Sequence, residues 1–389
     1  MRHPGPWQAT FAALCANLVG IGLARFAYSP LIPALVVEGW FEASAAAYLG
    51  AANLAGYLAG ALSARALGRR LGPGLALKSM MGLISLSFLV CAHPLPFAWF
   101  FVWRFASGLA GGVIMVLATT LVLPHVPELR RGLAGGLIFM GVGLGAVASA
   151  TLLPLLLAEG MRVTWIALGV LCLGFTLAAW RFWPEDAVLP PGNQAVAVPG
   201  FRVRALMGIY AMNAFGLVPH MVFLVDFVAR GLDLGLGQGA FVWLLFGLGA
   251  SVGPVVLGRL GDRFGFGPTL RMALLTQAIV VALAATTDEV GWLGLSAFIM
   301  GGFTPGVVPV VLGRVRELLP GDHQAQRATW SRTTAAFALG QAAGAYGLAW
   351  VFSLSDGAYS LLFTLGSGAL ALAFVLEVAV NRVRTSEIA

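Results

Sequence analysis

Long apolar runs parted by short polar breaks make up almost the whole chain. A helix needs roughly 20 consecutive apolar residues to cross a hydrocarbon core of about 30 Å. The runs predict twelve such helices, at 8–37, 43–64, 74–92, 97–123, 132–157, 163–183, 205–229, 239–258, 268–287, 291–313, 328–353 and 357–380. They are rich in Leu, Ala and Gly and show no period-2 alternation, a pattern that fits helices and not a β-barrel. A polar stretch at 184–204, containing Pro190-Pro191-Gly192, parts six predicted helices from six. The expected organisation is an N-terminal bundle (1–183), a linker (184–204) and a C-terminal bundle (205–389).

Composition turns this pattern into a class. Of 389 residues, 59% are hydrophobic and 10% charged, against about 25% charged in a soluble domain. The protein reads as all-α and multi-pass in a membrane. The first run is too long for a cleaved signal segment and is expected to belong to the mature protein. Cys15, Cys91 and Cys172 are scattered through the runs and read as small packing residues, with neither disulfide nor metal implied.

The basic residues orient the chain. With a cytoplasmic N-terminus, 19 of the 23 Lys and Arg residues fall on the inner side, only Arg162 and Arg230 fall outside, and Arg25 and Arg104 lie within the membrane. Such a bias predicts both termini in the cytoplasm. It also accounts for the net charge of +7 without nucleic-acid binding, which needs a clustered basic domain.

The two halves echo each other. Asn17 and Gly20 recur as Asn213 and Gly216, 196 residues on, and the loop glycines Gly68 and Gly265 stand 197 apart. An internal repeat of this kind is common in transporters, whose substrate sites lie near the midplane where the repeats meet. The loop GRLGDRFGFG, Gly258–Gly267, resembles the G-x-L-A-D-R-x-G-R-R motif of the major facilitator superfamily, matching at Gly258, Leu260, Asp262, Arg263 and Gly265. The stretch RFASGLAGG, Arg104–Gly112, is similar to that superfamily's R-x-x-x-G element, and GIGLARFAYSPLIP, Gly20–Pro33, resembles the first-helix signature of its bacterial YbfB/YjiJ family. The resemblance implies a fold of two six-helix bundles in the bacterial inner membrane, a monomer, and a central cavity lined by helices 1, 4 and 7. The first-half loop departs from the pattern, with Arg65 where the acid belongs.

Physically, a carboxylate at Asp262 can face a helix N-terminus and its dipole, and Arg263 can pair across the same seam. Arg69 with Glu128 is a candidate substitute in the first half. Together they would lock an inner gate; the alternative is an ordinary solvated basic loop. Small residues four apart (Gly56/Gly60, Gly141/Gly145, Gly249/Gly253, Gly302/Gly306, Gly340/Gly344) allow close helix approach, as static packing or as sliding seams.

Three groups share one depth. Arg25, Arg104 and His220 lie roughly 18, 15 and 14 Å from the outer ends of their runs at 1.5 Å per residue. Burying an arginine costs at least about 2.5–3.5 kcal/mol, and no acidic residue lies at that level in the first half. An anion can supply the missing charge, since a guanidinium suits carboxylate or phosphate. Helical spacing adds Asn17, Tyr28, Asn53, Tyr57 and Asn213 as candidate substrate contacts; interhelical bonding is their alternative. His220 and Asp226 are the candidate proton carriers.

No G-x-x-x-x-G-K-[ST] loop, metal-binding cluster or cofactor motif is present, and the scattered histidines fit no membrane enzyme. The expected function is secondary transport of a small organic solute, an anion, coupled to protons. The alternatives are a proton-driven exporter of hydrophobic or cationic compounds and a non-transporting solute sensor.

Overall fold

The computed structural model describes residues 4–127, 131–184 and 200–386, and the side chains of all of these except 131–133, 323, 324, 327 and 382–386. Twelve helices among the described residues are long and apolar enough to span a membrane. They are α1 (Pro6–Val37), α2 (Ala43–Leu71), α3 (Pro73–Val90), α4 (Phe97–His125), α5 (Arg131–Ala158) and α6 (Met161–Ala179), then α7 (Phe201–Gly231), α8 (Gly235–Phe264), α9 (Phe266–Thr286), α10 (Val290–Leu318), α11 (His323–Leu354) and α12 (Tyr359–Ser386). Every expected span is present. Of the expected linker, residues 185–199 lie outside the described part.

Within the first bundle α2 packs on α4, α1 on α5 and α3 on α6; within the second, α8 packs on α10, α7 on α11 and α9 on α12. The bundles meet through α5 against α8 and α2 against α11. The small-residue pairs serve the internal contacts. A Cβ at Gly56 or Gly60 would strike the α4 backbone at Phe105 or Leu109, one at Gly249 or Gly253 would strike α10 at Phe298 or Gly302, and one at Gly141 would strike α1 at Leu14. These are close-packed seams inside a bundle. Glycines that face the other bundle include Gly143, against Ser251, Gly247, against Val147, and Gly50, against Val222.

Two tight turns repeat between the halves. Gly72 (φ 80°) joins α2 to α3, and Gly265 (φ 84°) joins α8 to α9. That left-handed backbone favours glycine. The structural counterpart of Gly265 is therefore Gly72, whereas Gly68, its match by sequence spacing, is buried inside α2.

α1 and α7 are the broken helices. α1 changes to π-helix over Leu18–Leu23, passes through a turn and resumes at Tyr28; α7 changes over Pro219–Phe223 and again over Phe227–Gly231. A π-turn inserts a residue into the ladder and frees carbonyls from it. α8 and α10, by contrast, run on through Pro254 and Pro305.

The bundles are closed against each other away from the termini. Ser29 donates to the Met221 carbonyl, the Trp243 indole donates to Ser149 Oγ at 3.1 Å, Phe26 packs edge-on against Trp243 and Phe246 at 5.7 Å each, and Tyr48 lies 6.3 Å from Tyr346. All these residues belong to the halves of their helices remote from the chain termini. Along α11, Gln341, Ala342, Gly344, Ala345, Leu348 and Ala349 are buried, whereas from Trp330 to Phe337 only Thr333 is.

Candidate functional site

Arg25 sits just past the π-segment of α1. From Cys15 to Leu35 every residue is buried except Arg25, which keeps partial exposure deep inside its span. Its NH2 group approaches the Met221 sulfur of α7 at 3.6 Å, and its guanidinium carbon lies 5.4 Å from the Tyr57 ring and 5.6 Å from the Phe26 ring. Its Nε has no partner. Among the described residues no carboxylate pairs with it. A thioether is a weak acceptor and aromatic faces give only partial compensation, so the guanidinium retains most of its capacity to bind an anion.

Arg104 of α4 is buried and otherwise engaged. Its NH1 donates to the Ala24 carbonyl at 2.8 Å, and its guanidinium covers the Tyr28 ring at 4.0 Å. The break in α1 makes this possible, because the Tyr28 N–H bonds to the Arg25 carbonyl and leaves that of Ala24 open. Tyr28 in turn donates to the Ala46 carbonyl at 2.9 Å. The sequence stripe Asn17–Ile21–Arg25–Tyr28 is thus divided. One inserted residue rotates the remainder of the helix by about 100°, so Arg25 faces the other bundle while Tyr28 faces α2 and α4. Asn17, fully buried, donates to Ala13 of its own helix at 3.0 Å.

Of the α2 candidates, Tyr57 joins Arg25. Its hydroxyl has no hydrogen-bond partner among the described residues, and its ring lies 5.4 Å from the Arg25 guanidinium carbon. Asn53 instead ties α2 to α4, donating to Ser107 Oγ at 2.9 Å and to the Arg104 carbonyl at 3.2 Å.

The α7 candidates turn into their own bundle. Asn213 donates to Gln277 Oε1 of α9 at 3.0 Å. His220 is fully buried, 2.7 Å from Ser296 Oγ, with Phe363 edge-on at 5.4 Å. Ser296 donates its single hydrogen to the Val280 carbonyl at 2.6 Å, so it accepts from His220, and Nε2 carries the proton. Asp226, 2% exposed, is bidentate to Arg230 at 2.5 Å for both contacts and accepts from the Tyr359 hydroxyl at 2.5 Å.

At the end of the bundle that carries the termini, Asp262, Arg263 and Arg69 are exposed, and Glu128 lies outside the described residues. Arg263 covers the Phe264 ring at 5.2 Å; Asp262 makes no ion pair among the described residues. The carboxylate at the N-terminus of α9 belongs to Glu317 of α10, which accepts the Phe266 N–H at 2.7 Å and binds Arg314 at 3.0 Å. Arg314 also approaches Glu377 at 3.6 Å and donates to Asn381. The sequence reading missed this cluster because its members lie on three helices.

It also missed Met221 and Gln341. Gln341 of α11 is 1% exposed, its Nε2 lies 3.6 Å from the same Met221 sulfur, and its Oε1 has no partner. Phe337, one turn earlier on that helix, packs on Tyr210 at 4.5 Å. Arg25 of one bundle, with Tyr57 beside it, therefore meets the Met221 sulfur of the other, which Gln341 also approaches, while Tyr210 and Phe337 pack on each other. Met221 lies 196 residues from Arg25, the spacing of the internal repeat, so two equivalent positions meet across the seam carrying different chemistry. A further hollow of about 320 Å³, bounded by Pro30, Leu153, Pro154, Leu157, Leu236 and Ala240, is apolar and holds no charged group.

Comparison with known proteins agrees with this architecture. The chain is 26% identical over 368 residues to a gallate transporter of Pseudomonas putida, covering 79% of this chain and 80% of the relative. It is 26% identical over 304 residues to the 4-hydroxybenzoate transporter PcaK of Pseudomonas aeruginosa, covering 67% of each. The crystal structure of a D-xylose–proton symporter superposes with a TM-score of 0.74 at 15% identity, covering 95% of this chain and 97% of that one, which shows a shared fold. A family model described as "Uncharacterised MFS-type transporter YbfB" matches residues 17–378, and the chain belongs to that family of major facilitator transporters.

Proposed function

We propose that the protein moves a small organic carboxylate across the bacterial inner membrane by alternating access, with Arg25 as its receptor. The observation that carries this reading is the unpaired guanidinium of Arg25, partly exposed at the seam between the bundles. A charge kept at that depth without a counter-charge costs at least about 2.5–3.5 kcal/mol, which an incoming carboxylate offsets through paired hydrogen bonds. The substrates for which the two relatives are named, gallate and 4-hydroxybenzoate, are both aromatic acids, and the Tyr57 and Phe26 rings lie 5.4 and 5.6 Å from the Arg25 guanidinium.

The contacts that close the seam lie away from the termini, so this conformation opens toward the terminal side, taken as the cytoplasm. Asp262 and Arg263 then close that side in the opposite state, and the chain works as a monomer of two bundles joined by the 184–204 linker. Proton coupling is assigned to Asp226 in preference to His220. Asp226 is a buried acid whose partner Arg230 is 22% exposed, so water reaches the pair, whereas His220 is enclosed on Ser296.

The test is thermal stabilisation of the purified protein by gallate, 4-hydroxybenzoate, short aliphatic acids and lipophilic cations. A ligand at 100 times its dissociation constant adds about 2.7 kcal/mol. Stabilisation by the aromatic acids that Arg25→Ala removes supports the reading. Stabilisation by lipophilic cations alone overturns it in favour of an exporter. Binding without flux in proteoliposomes indicates a sensor.

A further inference from the structure

Gln341 and Gln277 are both buried glutamines in membrane helices of the second bundle, and they are used differently. Gln277 engages both ends of its amide: Nε2 donates to Ala273 of its own helix at 3.0 Å, and Oε1 accepts from Asn213. Gln341 spends almost none. Its Nε2 reaches only the Met221 sulfur at 3.6 Å, and its Oε1, fully enclosed, accepts from nothing. The amide orientation follows from the sulfur, which accepts and does not donate. A buried carbonyl oxygen without a donor costs about 1–3 kcal/mol, and a leucine at the same place would avoid that cost.

The same sulfur also takes the Arg25 guanidinium, at the same 3.6 Å. Two under-used polar groups from opposite bundles thus converge on one thioether. Methionine is unbranched, has three rotatable side-chain bonds and is a weak acceptor, so moving it aside sacrifices little. Its backbone is held independently by Ser29. Phe337 lies on the same face of α11 one turn away from Gln341, with Tyr210 against it.

We infer that Gln341 is the second ligand-reading residue of this site, and that Met221 holds the place of a hydroxylated aromatic carboxylate. In the loaded site the carboxylate takes Arg25 and the ring lies against Tyr210 and Phe337. A ring hydroxyl donates to Gln341 Oε1, and the Met221 side chain swings out. The inference rests on Arg25 as the carboxylate receptor and adds the group read at the other end of the ligand.

The experiment compares benzoate, 4-hydroxybenzoate and 4-methoxybenzoate binding to the full-length purified protein, wild type, Gln341→Met and Arg25→Ala. For wild type, 4-hydroxybenzoate binds about tenfold tighter than either of the others, the worth of one well-placed hydrogen bond; the methyl ether loses the advantage because it has no proton to give. Gln341→Met abolishes the hydroxyl advantage and leaves benzoate affinity within about twofold. Equal binding of all three acids to wild type overturns the inference while Arg25 stands, and so does a hydroxyl advantage that survives in Gln341→Met. Should that variant fail to fold, the wild-type series alone decides. Arg25→Ala weakens all three acids together. If it binds them as wild type does, the receptor assignment falls even where the hydroxyl advantage tracks Gln341. If wild type binds none of the three, both fall.

Discussion

α1 and α7 hold matching places in the two bundles, and both break into π-helix near mid-span. Their chemistry differs. α7 carries a histidine and an aspartate, each engaged inside its own bundle: His220 on Ser296, and Asp226 between Arg230 and Tyr359. α1 carries Arg25, which turns out of its bundle and finds no carboxylate among the described residues. An internal repeat thus gives two copies of one backbone device, the broken helix, and side-chain divergence pairs the deep polar groups of one copy within its bundle and leaves the guanidinium of the other open, as the proposed receptor requires. Free backbone carbonyls at the breaks are satisfied by added partners in both: Arg104 at Ala24, Ser29 at Met221.

Mutations can break or sharpen that contrast. The largest effect is expected on α7. Arg230→Ala leaves Asp226 buried beside Tyr359 without its cation, and because Arg230 is itself partly exposed the cost is about 3 kcal/mol, the low end for breaking a buried pair. A clear fall in thermal stability without ligand should result; unchanged stability would remove α7's role as a strut. Next comes Arg25→Ala, expected to weaken carboxylate binding by about 100-fold, or about 2.7 kcal/mol, with little loss of stability in the unliganded protein. Arg25→Lys should recover part of the binding, since it keeps the charge and loses the planar fork. A large destabilisation with unchanged binding would make Arg25 a strut as well.

The repeat-matched glycines give a smaller and more discriminating test. A Cβ at Gly216 meets the α12 backbone at Gly366 and the Leu370 side chain, whereas at Gly20 it meets only the Ile114 side chain. Gly216→Ala should cost about 1–3 kcal/mol and Gly20→Ala less, measured by thermal unfolding. The smallest effect belongs to His220→Gln, which retains a donor toward Ser296. It should cost no more than about 1 kcal/mol and leave the pH profile of uptake in proteoliposomes unchanged, while Asp226→Asn alters that profile. A flattened profile in His220→Gln would return the proton-carrier role to the histidine.

The sequence-derived expectations held where a local property decides. Hydrophobic length alone predicts all twelve spans, because a bilayer imposes a nearly fixed thickness on each helix. The Gly258–Gly267 loop and the first-helix signature pointed to the correct family. Local reasoning went astray where register or partners decide. The stripe drawn through Tyr28 assumed an unbroken helix, and the π-turn rotated Tyr28 away. In this conformation the carboxylate at the α9 N-terminus is Glu317, 51 residues from the Phe266 it caps, a pairing that no local spacing announces.

The sequence by itself therefore determined the membrane class, the twelve spans, the repeat, and the anomaly of Arg25, an arginine without an acid at its depth. Each comes from composition, run length or spacing along the chain, none of which depends on how the helices pack. Only the tertiary structure decided which deep polar groups are already spent. Arg104, Asn53, Asn213 and His220 each find a partner on another helix, while Arg25, with Tyr57 beside it, and Gln341 meet at Met221 with capacity left over. That distinction depends on how separate helices pack and which way each break turns them, and no spacing along the chain records it.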